Sequence, residues 1–168
     1  RDAIVSFVAE VTTKGTETYV PPAERIAVFD NDGTLWCEKP EYPQLTFFVR
    51  ELERAAAVQP ALTARAKYRA VLQRDERALA ALGIGRVALA LLELFEGLGP
   101  EEFDLRVHRF FAEERHPKFR VRYGDLIYVP MLELITALRQ KRFDVFIGTA
   151  GGADFVRAVK TYERLLHE

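Results

Sequence analysis

Apolar positions at helical spacing occur first in Asp2 to Thr13, where Ile4, Val5, Phe7, Val8 and Val11 recur and Asp2 can cap. Gly15 and Pro21-Pro22 break that pattern before Ile26-Ala27-Val28-Phe29, a short apolar run that predicts a strand buried on both faces. After Leu35, Pro40 and Pro43 mark a linker. The Ala-, Leu- and Arg-rich stretch beyond them predicts helices over Gln44–Val58, Pro60–Leu82, Ile84–Phe95 and Glu101–Arg115. Gly83, Gly85, Gly97, Gly99-Pro100 and Pro117 punctuate these helices.

Pro130 opens another helix through Met131, Leu134, Ile135 and Leu138. Phe143 to Gly148 predicts a second buried strand, and a last helix is expected from about Ala153, carrying Phe155, Val156, Val159, Tyr162 and Leu166. A helical crossover between two short apolar strands argues a parallel pair in a helix-rich α/β fold, with ligands at the carboxyl ends of the strands. Asp30 and Thr149 stand at those ends.

Composition narrows the function classes. The chain has 168 residues, 49% hydrophobic and 29% charged, which suits one domain or a small core with an insertion. Net charge is -1 with the signs interspersed, so neither a nucleic-acid footprint nor a polybasic membrane surface is present. The apolar run Val87–Leu92 is far too short to span a bilayer. Cys37 is the only cysteine, which excludes an internal disulfide and a structural zinc cluster. The expected location is the cytoplasm, although a chain beginning at Arg1 is also compatible with a removed leader.

The chemistry concentrates at the two strand ends. Asp30-Asn31-Asp32-Gly33-Thr34 sets two carboxylates beside a glycine that permits a sharp turn. A capped turn or part of a calcium loop is the competing reading, and the calcium option weakens because Leu35, Trp36 and Cys37 follow instead of further acidic ligands. Thr149-Ala150-Gly151-Gly152 before a helix is ordinarily a turn, yet its hydroxyl and N–H groups can cradle an anion. Carboxylates attract Mg2+, a cation site beside an anion cradle implies a phosphate ester or phosphoanhydride, and given an aspartate nucleophile the natural chemistry is an aspartyl-phosphate.

The stretch Val28 to Leu35 resembles the first signature of the haloacid dehalogenase superfamily, and Phe146 to Gly152 resembles its second. Trp36 to Pro40 and Asp154 to Arg157 are similar to bacterial phosphatase-type members akin to phosphoserine phosphatases. The resemblance runs from Ala3 to about Leu166. It implies a Rossmann-like parallel-sheet core, incomplete in this chain, formed by 1–36 and 125–168, with 37–124 as a helical cap inserted after the first strand.

By the same resemblance Asp30 is the nucleophile and an Mg2+ ligand. Asp32 is the general acid/base, with its backbone carbonyl on the metal. Thr149 and the N–H groups of Ala150 and Gly151 bind the phosphoryl group. Dehalogenating members normally lack an acid/base at the position of Asp32, so a phosphatase acting on a small phosphorylated metabolite is expected. Glu38 stands where relatives contact a substrate ammonium, against the plainer reading of an exposed linker acid paired with Lys39 or an arginine. Trp36 is expected to anchor the linker, Cys37 to be a packed thiol, and His108 and His116 to lie on the surface.

The family pattern also requires a downstream lysine and a further acidic strand end. After Thr149 the chain has one lysine, Lys160, and one aspartate, Asp154, and neither is expected to replace the missing parts. The chain is therefore expected to be the front of a longer protein, a truncated product, or a polypeptide completed by another chain. An uncovered sheet edge would favour self-association. The alternative function is a catalytically incomplete module that binds metal, phosphate or a partner.

Overall fold

The computed structural model describes residues 2–149 and 151–159, with Ile84 described by its backbone alone. The fold is helix-rich α/β. It divides into two compact units, residues 1–39 with 124–168, and residues 40–123.

The first unit opens with α1 (Asp2–Thr12), of which only Val11 is buried. The strands β1 (Ile26–Asp30) and β2 (Asp144–Gly148) pair in parallel, in the register Ile26 to Asp144, Val28 to Phe146 and Asp30 to Gly148. Helix α7 (Val129–Gln140) precedes β2, with Pro130 in its first turn, where a missing N–H costs nothing. Helix α8 spans Ala153–Arg157. Leu35, Trp36, Ile135, Phe155 and Val159 are nearly or fully buried and form the core here.

Among the described residues neither strand is covered on both faces, contrary to the expectation from their apolar runs. Ile26, Val28 and Phe146 are 62%, 67% and 53% exposed, whereas Phe29 is buried. Side chains alternate across a strand, and among the described residues only one face of this two-stranded sheet meets a packed layer. An uninterrupted apolar run therefore does not report how many faces are covered.

Arg25 fixes the approach to β1. It is 6% exposed, and its guanidinium donates to the carbonyls of Val20 (2.9 Å) and Lys141 (2.7 Å) while lying over the Tyr19 ring. Lys141 is the C-cap of α7, so the buried positive charge meets the negative end of that helix. The Arg25 carbonyl accepts the Asp144 N–H at 2.8 Å, which ties the first residue of β2 to the residue before β1.

Five α-helices make up the second unit: α2 (Pro43–Val58), α3 (Ala66–Leu72), α4 (Glu76–Leu82), α5 (Ile84–Leu92) and α6 (Pro100–Glu113). The continuous helix expected over Pro60–Leu82 is absent. A 3-10 turn at Pro60–Ala64, α3 and α4 replace it. Arg74 adopts φ +51°, and Asp75 restarts the chain as the N-cap of α4, its Oδ1 accepting the Ala78 N–H at 3.0 Å. An aspartate offering that cap competes with continuation of the helix.

Leu52, Leu62, Tyr68, Val71, Ala90 and Leu91 form one apolar cluster of this unit. Phe47 centres an aromatic cluster with Phe95, Phe103 and Phe110. Glu51 is 3% exposed and paired with Arg54 (2.5 Å), Arg106 (3.1 Å) and Arg109 (3.3 Å). Three cations around one carboxylate offset the cost of taking its charge out of water.

His116 is 1% exposed, not a surface residue. Its Nδ1 accepts the N–H groups of Lys118 and Phe119, both at 3.2 Å, and its ring stacks on Phe119. It closes a loop as a capping side chain would, and that role draws the ring inward. His108 is partly buried, with its Nε2 enclosed. A histidine at the edge of a charged helix gives no periodic signal for either outcome.

Candidate functional site

β1 delivers Asp30 to its carboxyl end, and the chain then turns through Asn31-Asp32-Gly33. The turn is organised by one oxygen: the Asn31 carbonyl accepts the N–H groups of Thr34 (3.2 Å), Leu35 (2.8 Å) and Trp36 (3.4 Å). Asn31 is 1% exposed, so this turn is an interior feature from which the neighbouring aspartates emerge. Asp30 is exposed and Asp32 half-buried.

Gly33 has φ +78°, and its N–H donates to the Trp36 carbonyl at 2.9 Å. A Cβ at this position would stand 2.9 Å from Glu38 Oε2. Glu38 thus folds its carboxylate back onto the Asp-x-Asp turn. The Lys39 ammonium is 4.0 Å away and largely in solvent, so the pair expected for a linker acid is present only at its longest range. Gly33→Ala is expected to cost about 1–2 kcal/mol from the left-handed backbone and to displace Glu38. Chemical denaturation would measure the first effect, and a crystal structure of the variant the second.

The segment after the turn is fixed by contacts that no short-range pattern announces. Trp36 bridges Ile127 in antiparallel fashion, Cys37 N–H donates to the Leu126 carbonyl (3.3 Å), and Tyr128 N–H donates to the Leu35 carbonyl (2.8 Å). The Cys37 thiol is partly buried and contacts the Lys39 carbonyl at 3.4 Å, in keeping with a packed thiol. The Tyr128 phenol is pushed above its ordinary pKa by burial first, then by Cys37 beside and hydrogen-bonded to it, and by Glu38. It therefore stays protonated at neutral pH.

Trp36 is 2% exposed, which agrees with an anchoring role. The indole does more than pack: its Nε1–H donates to Asp32 Oδ1 at 2.7 Å.

On β2 the register sets Gly148 opposite Asp30, so Thr149 follows one residue beyond the paired ends. Neighbouring strands lie ~4.8 Å apart, which brings the two ends into one small region. Thr149 Oγ1 accepts the Gly151 N–H at 3.0 Å, so the hydroxyl orders the turn into α8. Ala150, Lys160, Tyr162 and Leu166 lie outside the described residues. Asp154 is exposed and paired with Arg157 three residues on, so it serves its own helix. Among the described residues no group of three His, Cys, Asp or Glu side chains could hold a metal ion. No single helix among them is long and apolar enough to cross a membrane.

The model of the haloacid dehalogenase-like hydrolase family matches residues 24–166. The chain belongs to that family. Comparison with curated proteins finds no match. The matched span of the hydrolase begins two residues before β1 and contains both strands, the Asp30-Asn31-Asp32 turn, the entire second unit and Thr149. Helix α1 lies outside it. Hydrolysis is thus the chemistry against which the paired strand ends are to be read.

Proposed function

We propose that this hydrolase is an Mg2+-dependent phosphatase acting on a small phosphomonoester through an aspartyl-phosphate on Asp30. The observation that carries the reading is the register of the sheet, with Asp30 opposite Gly148 and Thr149 next in the chain. It sets a carboxylate and a hydroxyl-bearing turn at adjacent strand ends, where parallel sheets bind ligands. The phosphoserine phosphatase-like branch is the subgroup proposed, with Glu38 as the acid facing a substrate ammonium.

An Asp30 carboxylate oxygen attacks phosphorus as the ester P–O bond breaks. Asp32 donates its proton to the departing alkoxide, which leaves as an alcohol. Water then attacks the phosphoryl phosphorus, Asp32 takes a proton from it, and the bond between phosphorus and Asp30 breaks to release phosphate. The Thr149 hydroxyl would bind the phosphoryl oxygens, with the N–H groups of Ala150 and Gly151 assisting as the family resemblance implies, the Gly151 N–H turning to them from Thr149 Oγ1.

The donor chemistry at the turn fits Mg2+, which takes oxygen ligands, retains waters and binds through one or two carboxylates plus substrate phosphate. The Asp30 carboxylate and the Asp32 main-chain carbonyl would hold it. When bound, it neutralises charge on the phosphoryl oxygens. The second reading is a catalytically incomplete module that binds phosphate, metal or a partner.

Hydrolysis of an aryl phosphate separates the two. Phosphate release with Mg2+ is expected, and chelation with EDTA is expected to slow it by about 100-fold or more. Turnover unaffected by EDTA would remove the metal from the mechanism, and no turnover at all would favour the binding module.

A further inference from the structure

We infer that Trp36 is a positioning residue for the proton transfers of Asp32, holding one carboxylate oxygen and leaving the other for the proton; this rests on the acid/base role proposed above. The indole Nε1–H is a donor with no acceptor capacity, so it can hold only an acceptor oxygen of Asp32. It donates to Oδ1 at 2.7 Å, at the short end of the range for an N–H···O hydrogen bond. Among the described residues no hydrogen bond reaches Oδ2.

The indole is itself held from several directions. It is 2% exposed and meets the Phe155 ring of α8 edge to face, with centroids 6.3 Å apart and planes at 71°. The Trp36 backbone closes the Asp-x-Asp turn, donating to the Asn31 carbonyl and accepting from Gly33 N–H. It is also bridged to Ile127 in antiparallel fashion. A donor fixed by three separate segments gives Asp32 one orientation in place of several. Orientation of a reacting group to within about 1 Å carries on the order of 100-fold in rate.

Trp36→Phe retains an aromatic ring against Phe155 and removes the donor. The values of kcat/KM for an alkyl phosphate and for a nitrophenyl phosphate separate positioning from disruption. The alkoxide needs a proton to leave, and nitrophenolate barely does. The variant is expected to lose about 10- to 100-fold on the alkyl ester and about threefold or less on the nitrophenyl ester. Equal losses on both esters, or none on either, would overturn the positioning role while leaving the phosphatase reading intact.

Trp36 is the only tryptophan in the chain, so its indole N–H gives a single NMR resonance that reads the contact without turnover. Asp32→Ala is expected to move that resonance upfield, and an unmoved resonance would overturn the hydrogen bond. Wild-type protein that hydrolyses neither ester would overturn the acid/base reading, and the positioning role with it.

Discussion

Asp30→Asn is expected to reduce hydrolysis of an aryl phosphate by on the order of 10^4-fold or more, as loss of a covalent nucleophile does in other enzymes. The amide matches the carboxylate in size but carries no charge and is too weak a nucleophile to form a phosphoryl bond. On the proposed mechanism it would also remove the anionic ligand of Mg2+, so attack and charge neutralisation would fail together. The effect should be confined to chemistry. Asp30 is exposed at the end of β1, and exposed substitutions commonly change stability by less than about 0.5 kcal/mol. Steady-state kinetics beside a thermal melt would check both halves. An unchanged melting curve with lost turnover is expected, and retained turnover would remove Asp30 from the nucleophile's place.

Phe47→Ala is expected to have the largest effect on stability. The side chain is fully buried in the second unit, and its ring meets those of Phe48, Phe95, Phe103 and Phe110 at centroid distances of 5.5, 5.7, 5.8 and 5.6 Å. Truncation removes a shared partner from four rings and leaves a cavity. Such changes cost about 3–5 kcal/mol, against a total stability of about 5–15 kcal/mol for a typical domain. The midpoint of thermal unfolding should fall by about 10 °C or more, with Phe47→Leu losing much less. Circular dichroism would follow the helices of this unit, and a shift below about 3 °C would show that the ring cluster repacks.

Several elements were legible from local pattern alone. The apolar spacing of α1, the Pro-initiated α7 and the parallel pairing of two short runs separated by helices all follow from periodicity and turn chemistry. The break between α3 and α4 was not legible, because Ala- and Leu-rich residues on both sides support one helix as well as two. Only Asp75, caught capping a new helix beside a left-handed Arg74, settles it. Glu51 and His116 were equally opaque. A glutamate in a charged helix and a histidine in a loop acquire their burial from three arginines and from Phe119, none of which helical periodicity singles out.

The candidate site divides along the same line. By itself the sequence determined that two carboxylates and a glycine follow one apolar run and that a threonine-glycine turn follows another, because strand, turn and helix onset are short-range properties. Only the tertiary structure decided which strand side chains are covered among the described residues, that Glu38 returns over Gly33 and that the Trp36 indole grips Asp32. Those outcomes depend on which faces pack and which chain segments meet, as Phe155 and Ile127 meet Trp36 from more than ninety positions away. A carboxylate's neighbours are set by that long-range packing, and its chemistry follows from its neighbours.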